Sequence, residues 1–190
     1  RALVVGTLWF FALLGFYGLN TWLGALQQAS GVAVTQSVLF TVCISLGGIP
    51  GFLVAAWSVE RLGRKLTCVG TLVGGALATY VFGQVLQAGA DQWSSYVAGA
   101  SMQFFAFGMW AVLYAYTPEL FPSRARATGC GYASFCGRIG ALLGPTLVGA
   151  IVTWSTSDAV FLFGAVCYGI AAACVWFFGV ETRGIQLETV

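Results

Sequence analysis

Six long apolar runs, separated by short polar connections, make up almost the whole chain. They cover roughly 3–28, 34–59, 66–88, 93–117, 127–154 and 159–180. A membrane-spanning helix needs about 20 mostly apolar residues, and each run meets that length. A membrane strand is instead about ten residues of alternating polarity, so these runs are too long and too continuous for a barrel. The pattern predicts an all-α membrane protein, a single bundle of six transmembrane helices over residues 1–190. The connections between the runs leave no room for a soluble domain.

Composition agrees and removes alternatives. Hydrophobic residues make up 59% of the 190 residues and charged residues 7%, against about 25% charged in an ordinary soluble domain. Folded in water, such a chain would expose apolar patches far larger than soluble monomers tolerate. Disorder, nucleic-acid binding and a soluble enzyme are excluded on this ground. Histidine is absent, which removes His-dependent triads and His-ligated metals. No nucleophile–base pair or ligand set replaces them, so neither enzymatic activity, cofactor nor metal is expected. The six cysteines are scattered through apolar runs without a C-x-x-C pair and read as buried small hydrophobes. The chain opens at Arg1 and enters a hydrophobic run at once, as a fragment of a longer protein would.

The basic residues predict the orientation. Arg1 precedes the first run, Arg61, Arg64 and Lys65 lie in the second connection, Arg124 and Arg126 in the fourth, and Arg183 after the last run. The first, third and fifth connections carry neither Lys nor Arg. By the positive-inside rule both termini of this segment are cytoplasmic, in a plasma or inner membrane. Small residues four apart, Gly47/Gly51, Gly70/Gly74, Gly140/Gly144 and the series Gly129, Ala133, Gly137 and Ala141, predict close helix packing.

With so few charges, their clustering is informative. Glu60-Arg-Leu-Gly-Arg-Lys65 closes the second run, with Gly63 permitting a tight turn and Arg61, Arg64 and Lys65 available to offset Glu60 at a helix C-terminus. Pro118-Glu-Leu-Phe-Pro-Ser-Arg-Ala-Arg126 follows the fourth run. Its two prolines are expected to end that helix, with Ser123 as N-cap of the next. Glu181-Thr-Arg-Gly-Ile-Gln-Leu-Glu188 closes the chain. Together the three resemble signatures of the major facilitator superfamily: its D-R-x-G-R-[RK] loop, here with Glu60 for the aspartate and Ala56 for the preceding glycine, and the E-x-[FY]-P-x-x-x-R and E-T-[KR]-G-x-x-L-E motifs of sugar porters and organic-ion transporters. The resemblance implies the C-terminal half of a twelve-helix secondary transporter, whose partner is an absent N-terminal six-helix half. It also implies a cytoplasmic gate of ion pairs built from Glu60, Arg61, Arg64, Glu119, Arg126 and Glu181.

Inside the runs one charge stands out. Arg138 follows Arg126 by 12 residues, roughly 18 Å of helix, where burial of an arginine costs about 2.5–3.5 kcal/mol. It reads either as a structural pair with an acid of the missing half or as a planar fork for an anionic substrate. The run Gly137-Arg-Ile-Gly-Ala-Leu-Leu-Gly-Pro145 resembles the eleventh helix of bacterial niacin and aromatic-acid:proton symporters, which implies a carboxylate cargo and proton coupling. Two stripes flank it: Gln103, Phe107, Trp110 and Tyr114 on the fourth run, and Leu13, Tyr17, Asn20, Gly24 and Gln27 on the first. In the resembled fold these runs line the central cavity, where aromatic faces stack a flat solute and amides orient it. The predicted substrate-binding set is Arg138, Asn20, Tyr17, Gln103, Phe107, Trp110 and Tyr114. A hexose:proton symporter, or a membrane sensor or scaffold of the same fold, is the alternative.

Overall fold

The computed structural model describes residues 1–29, 34–154 and 157–184. The described secondary structure is all helical, with short connections: α1 (Ala2–Ala29), α2 (Val34–Leu46), α3 (Gly48–Leu62), α4 (Arg64–Gln87), α5 (Gln92–Glu119), α6 (Arg126–Trp154) and α7 (Ser157–Phe178). Since α2 and α3 together form one apolar stretch, Val34–Leu62, the described residues contain six helices long and apolar enough to cross a membrane. The expected six spans are all present.

The interruption of the second span has a local cause. Pro50 lacks an amide hydrogen and so cannot bond the carbonyl of Leu46 four residues back. The Gly47 amide instead closes a tighter turn onto the Ile44 carbonyl at 3.0 Å. Just there the span presses on α5. A Cβ at Gly47 would lie 2.7 Å from the Ala100 carbonyl oxygen, and one at Gly51 would run into the backbone of Phe104. The sequence pairing of these two glycines thus marks a true backbone-to-backbone contact. The Gly70/Gly74 pair does not, because Gly70 faces open space and Gly74 receives the Phe105 ring.

Four helices, α1, α4, α5 and α7, supply most of the large buried side chains, among them Leu8, Leu19, Leu72, Phe82, Met102, Met109, Leu113, Tyr116 and Tyr168. Unlike these, α6 buries only small residues and one valine, namely Gly129, Ala133, Gly137, Gly140, Gly144 and Val148. Its stripe lies on α1, where added methyl groups at Gly140 and Gly144 would strike the carbonyl oxygens of Phe10 and Leu14. The remaining circumference of α6 is open, with Phe135 63% and Leu142 75% exposed. Trp93 and Trp154 sit exposed at the ends of α5 and α6, where indoles anchor helices at a membrane interface.

Several helix ends differ from expectation. Pro118 lies within the last turn of α5, which runs on to Glu119, and does not end it. Ser123 is no N-cap: α6 starts at Arg126, and the turn before it is closed by the Ala125 amide on the Pro122 carbonyl at 2.9 Å. Gly63 behaves as anticipated, with φ +97° between α3 and α4.

Candidate functional site

The aromatic residues and amides singled out from the sequence are positioned by α1 and α5. On α1, Trp9, Phe16, Tyr17 and Asn20 fall on one flank. On α5, Gln103, Phe107, Trp110 and Tyr114 follow at spacings of four, three and four. The rings of the two helices interlock. Trp110 meets Phe16 edge-to-face at 5.4 Å between centroids and Tyr17 at 6.5 Å, and it stacks on Tyr114 at 5.6 Å with 22° between planes. Phe16 also packs on Phe107 at 6.1 Å. Trp9 closes the group against Trp110 and Tyr114, its indole N–H donating to Thr117 Oγ1 at 2.8 Å. Such offset and edge contacts rigidify a wall of rings. The wall is not sealed: Tyr17 is 40% and Tyr114 62% exposed. The structure therefore brings Tyr17, Phe107, Trp110 and Tyr114 together. Sequence reasoning missed Trp9 and Phe16, although Trp9 stands one turn before Leu13 on the stripe already chosen.

Asn20 continues the wall as its polar end. Its Nδ2 donates to the Phe16 carbonyl at 2.9 Å, and its Oδ1 accepts from Gln103 Nε2 at 2.9 Å. Gln103 itself is only 1% exposed and does not reach the open face. Its amide also makes a long contact of 3.5 Å to Ser45 Oγ, at the break between α2 and α3, while its Oε1 is buried without a donor among the described residues. Of the other stripe members, Leu13 is buried under Gly137, and the side chain of Gln27 lies outside the described residues.

Arg138 stands on the exposed part of α6. Among the described residues no carboxylate pairs with it, the ion pair found being that of Arg64 with Glu119. Asp and Glu occur only at or beyond the ends of the spans, so nothing within the bundle's interior could neutralise it.

The charged end is organised differently from the gate expected there. Arg64 grips Glu119 through two nitrogens, Nε at 2.9 and 3.1 Å and Nη2 at 2.9 Å, the bidentate fork that makes arginine–carboxylate pairs specific. The hydroxyl of Thr182 donates to the same carboxylate. Glu181 is held by backbone: its Oε1 accepts from the amides of Arg64, Thr182 and Arg183 at 2.9–3.0 Å, and its Oε2 from Lys65 at 3.1 Å. It thereby caps α4, a helix with no acid in its own first turn, and brings negative charge to a helix N-terminus where the macrodipole favours it. A side chain at Gly63 would collide with that carboxylate. Tyr116 Oη, donating to the Val180 carbonyl at 2.6 Å, ties α5 to the same segment.

Three of the six expected gate residues stand apart from this cluster. Glu60 is exposed with no bonded partner among the described residues, and Arg64 serves Glu119 in place of offsetting it. Arg61 lays its guanidinium over the Trp57 ring at 5.7 Å and contributes only its carbonyl, which accepts from Arg183 at 2.6 Å. Arg126, at the start of α6, keeps a buried Nε without an acceptor among the described residues. Residues 185–188 of the terminal motif lie outside the described residues.

These features define a six-span α-helical membrane bundle with a half-open aromatic wall and a charge-clustered end. The sequence profile of the Major Facilitator Superfamily matches residues 5–188, and the chain belongs to that superfamily. It is 38% identical over 188 residues to the putative niacin/nicotinamide transporter NiaP of Bacillus subtilis strain 168, covering 97% of this chain and 46% of that protein. Likewise it is 38% identical over 192 residues to the niacin transporter NiaP of Acinetobacter baylyi, covering 100% of this chain and 43% of the relative. The crystal structure of the human organic anion transporter MFSD10 (TETRAN) superposes with a TM-score of 0.74 at 18% identity, over 98% of this chain and 48% of that one. That likeness establishes a shared fold. The chain spans just under half the length of these relatives, and they are transporters, not enzymes.

Proposed function

We propose that this chain forms one half of a secondary active transporter for a small aromatic carboxylate of the nicotinate kind, working by alternating access with an N-terminal six-helix half. Arg138 carries the reading: a cation within a membrane helix, exposed on its half and without a carboxylate partner among the described residues. A charge in that position faces a polar cavity and meets an anion there, and the guanidinium offers a carboxylate a planar bidentate fork. The wall of Phe16, Tyr17, Phe107, Trp110 and Tyr114 supplies ring faces for a flat solute, and Asn20 a polar terminus. In this reading both termini of the segment are cytoplasmic, as the distribution of Lys and Arg supports. Proton coupling accompanies the niacin-symporter resemblance, and its titrating carboxylate lies in the other half. At the cytoplasmic end, Arg64, Glu119 and Glu181 hold this half together, while Glu60, Arg61 and Arg126 face the partner half and gate it.

The test is competition for uptake by the protein carrying both halves, using matched acid, amide and hexose panels. The acid is expected to compete well and its amide poorly. Arg138→Ala is expected to weaken acid binding by about 2–5 kcal/mol, the usual consequence of removing one partner of a buried charge pair, and Arg138→Lys to restore only part. Equal competition by acid and amide would make Arg138 structural, and preferential competition by the hexose would establish a sugar porter instead.

A further inference from the structure

Gln103 is an unusual residue to bury in a membrane bundle. Its amide orientation is fixed by its neighbour: Asn20 spends an N–H on the Phe16 carbonyl, so Asn20 Oδ1 must accept, and Gln103 must present Nε2 to it. Gln103 Oε1 then finds no donor among the described residues, in a side chain 1% exposed. A buried acceptor left unpaired forfeits at least as much as one neutral hydrogen bond returns, so this amide does not stabilise the bundle over an apolar side chain of equal length. What it does achieve is positional. Asn20 is half-buried at the polar end of the ring wall and is clamped from both sides. Of its four hydrogen-bonding positions, two are occupied, and one N–H and one lone pair remain.

We infer that Gln103 is a positioning residue that aims the remaining Asn20 N–H along the half-open ring wall, selecting a planar acid whose ring carries a hydrogen-bond acceptor. This rests on the reading of that wall and Arg138 as a carboxylate site and deepens it. The carboxylate would engage Arg138, and the ring acceptor, such as a pyridine nitrogen, would take the Asn20 N–H. A ring with C–H in that position leaves the N–H unpaired, and sites built around a hydrogen bond reject analogues that lack it. Without Gln103 the Asn20 amide loses one of its two clamps and can rotate away.

Nicotinate and benzoate form the probe pair, because both are flat monocarboxylates and they differ by the ring nitrogen alone. Uptake of each is measured for the protein carrying both halves, alongside its melting temperature. The unmodified protein is expected to favour nicotinate. Gln103→Met should lower the nicotinate-to-benzoate ratio of kcat/KM about tenfold, equivalent to about 1.4 kcal/mol, through KM, and leave the melting temperature unchanged or raised. Gln103→Asn, whose shorter amide cannot reach Asn20, should lower the ratio similarly. A ratio unmoved in both variants, a loss of thermal stability in Gln103→Met, or no preference for nicotinate in the unmodified protein would each overturn the inference. Failure of the unmodified protein to take up either acid would instead overturn the carboxylate reading beneath it, so the two failures are distinct.

Discussion

At the charged end, Glu119 and Glu181 accept from two nitrogens of one guanidinium, one hydroxyl and four backbone amides, all within this half of the fold. Arg138 and the exposed rings of Tyr17 and Tyr114 meet no such completion among the described residues. The same scarce polar residues have been used in opposite ways. The charged end is a finished joint, in which α4, α5 and the segment after α7 are locked by groups from three separate parts of the sequence. The face carrying these residues is shaped by packing but left chemically open. In the proposed reading, one preassembled half moves against another around a shared central site, and a rigid joint beside an open face suits that motion.

The most severe way to break the comparison is to destroy the platform behind the open face. The α1–α6 seam is so close at Gly140 that a side chain would enter the Phe10 carbonyl. Neither backbone can yield without separating the helices. Gly140→Leu is expected to destabilise by at least about 3 kcal/mol, the upper range for overpacking, and to shift Arg138 away from the α1 wall. Gly70→Leu, at a glycine facing open space, should change little. Thermal melts of the two purified variants would expose an equal effect, which would mean that the α1–α6 seam can open to admit a side chain.

The finished joint comes next in size. The Arg64 and Glu119 side chains are 24% and 21% exposed, midway between a surface pair and a buried one. Arg64→Ala is expected to lower stability by about 2 kcal/mol, between the small value of exposed pairs and the larger loss when a buried partner is stranded. Arg126→Ala removes a cation with no acceptor among the described residues and should leave stability within about 0.5 kcal/mol, as for changes away from structural features, while cutting transport. Equal melting temperatures for the two variants would erase the distinction between a joint held within this half and a gate facing the other. Normal uptake by Arg126→Ala would remove that residue from the gate.

Much of this was legible from sequence, and the exceptions have physical causes. Spans are set by a bilayer's thickness acting on continuous apolar runs, so their number and approximate limits follow from residue type alone. The break at Gly47 was less legible because the run stays apolar through it. Only Pro50 and the contact with α5 reveal it. The charge motifs located the right end of the molecule but not its pairing. Arg64, Glu119 and Glu181 are up to 117 positions apart, and nothing local says that Glu181 will spend its oxygens on amides while Glu60 meets no partner among the described residues. Gln103 and Asn20 share that limit. Periodicity placed both on chosen stripes, yet a stripe on α5 has a buried and an open edge, and only the packing of α1 and α2 decides which edge holds Gln103.

The smallest expected effect lies outside both regions, at the entry to α5, and sharpens the contrast by showing what an isolated surface charge contributes. Asp91 is the N-cap: its carboxylate accepts from the Ser94 hydroxyl at 2.6 Å and, more weakly, from the Ser94 amide at 3.4 Å. Those bonds, the hydroxyl's foremost, hold its pKa below the ordinary 3.8. A carboxyl depressed on folding contributes its stability fully above the unfolded value and loses it as pH falls through the folded one. The contribution should therefore be constant from neutrality down to about pH 4 and fade below it, the window following from that reference value. Asp91→Asn keeps a capping oxygen but cannot ionise, so it isolates this group from the other carboxylates that titrate in acid. The difference in melting temperature between the two proteins is expected to be small and in favour of aspartate at pH 6, and to shrink progressively as pH falls below about 4. A gap that persists unchanged at pH 2 would mean that the cap acts through shape alone. A gap as large as that of Arg64→Ala would mean that surface and joint are not energetically distinct.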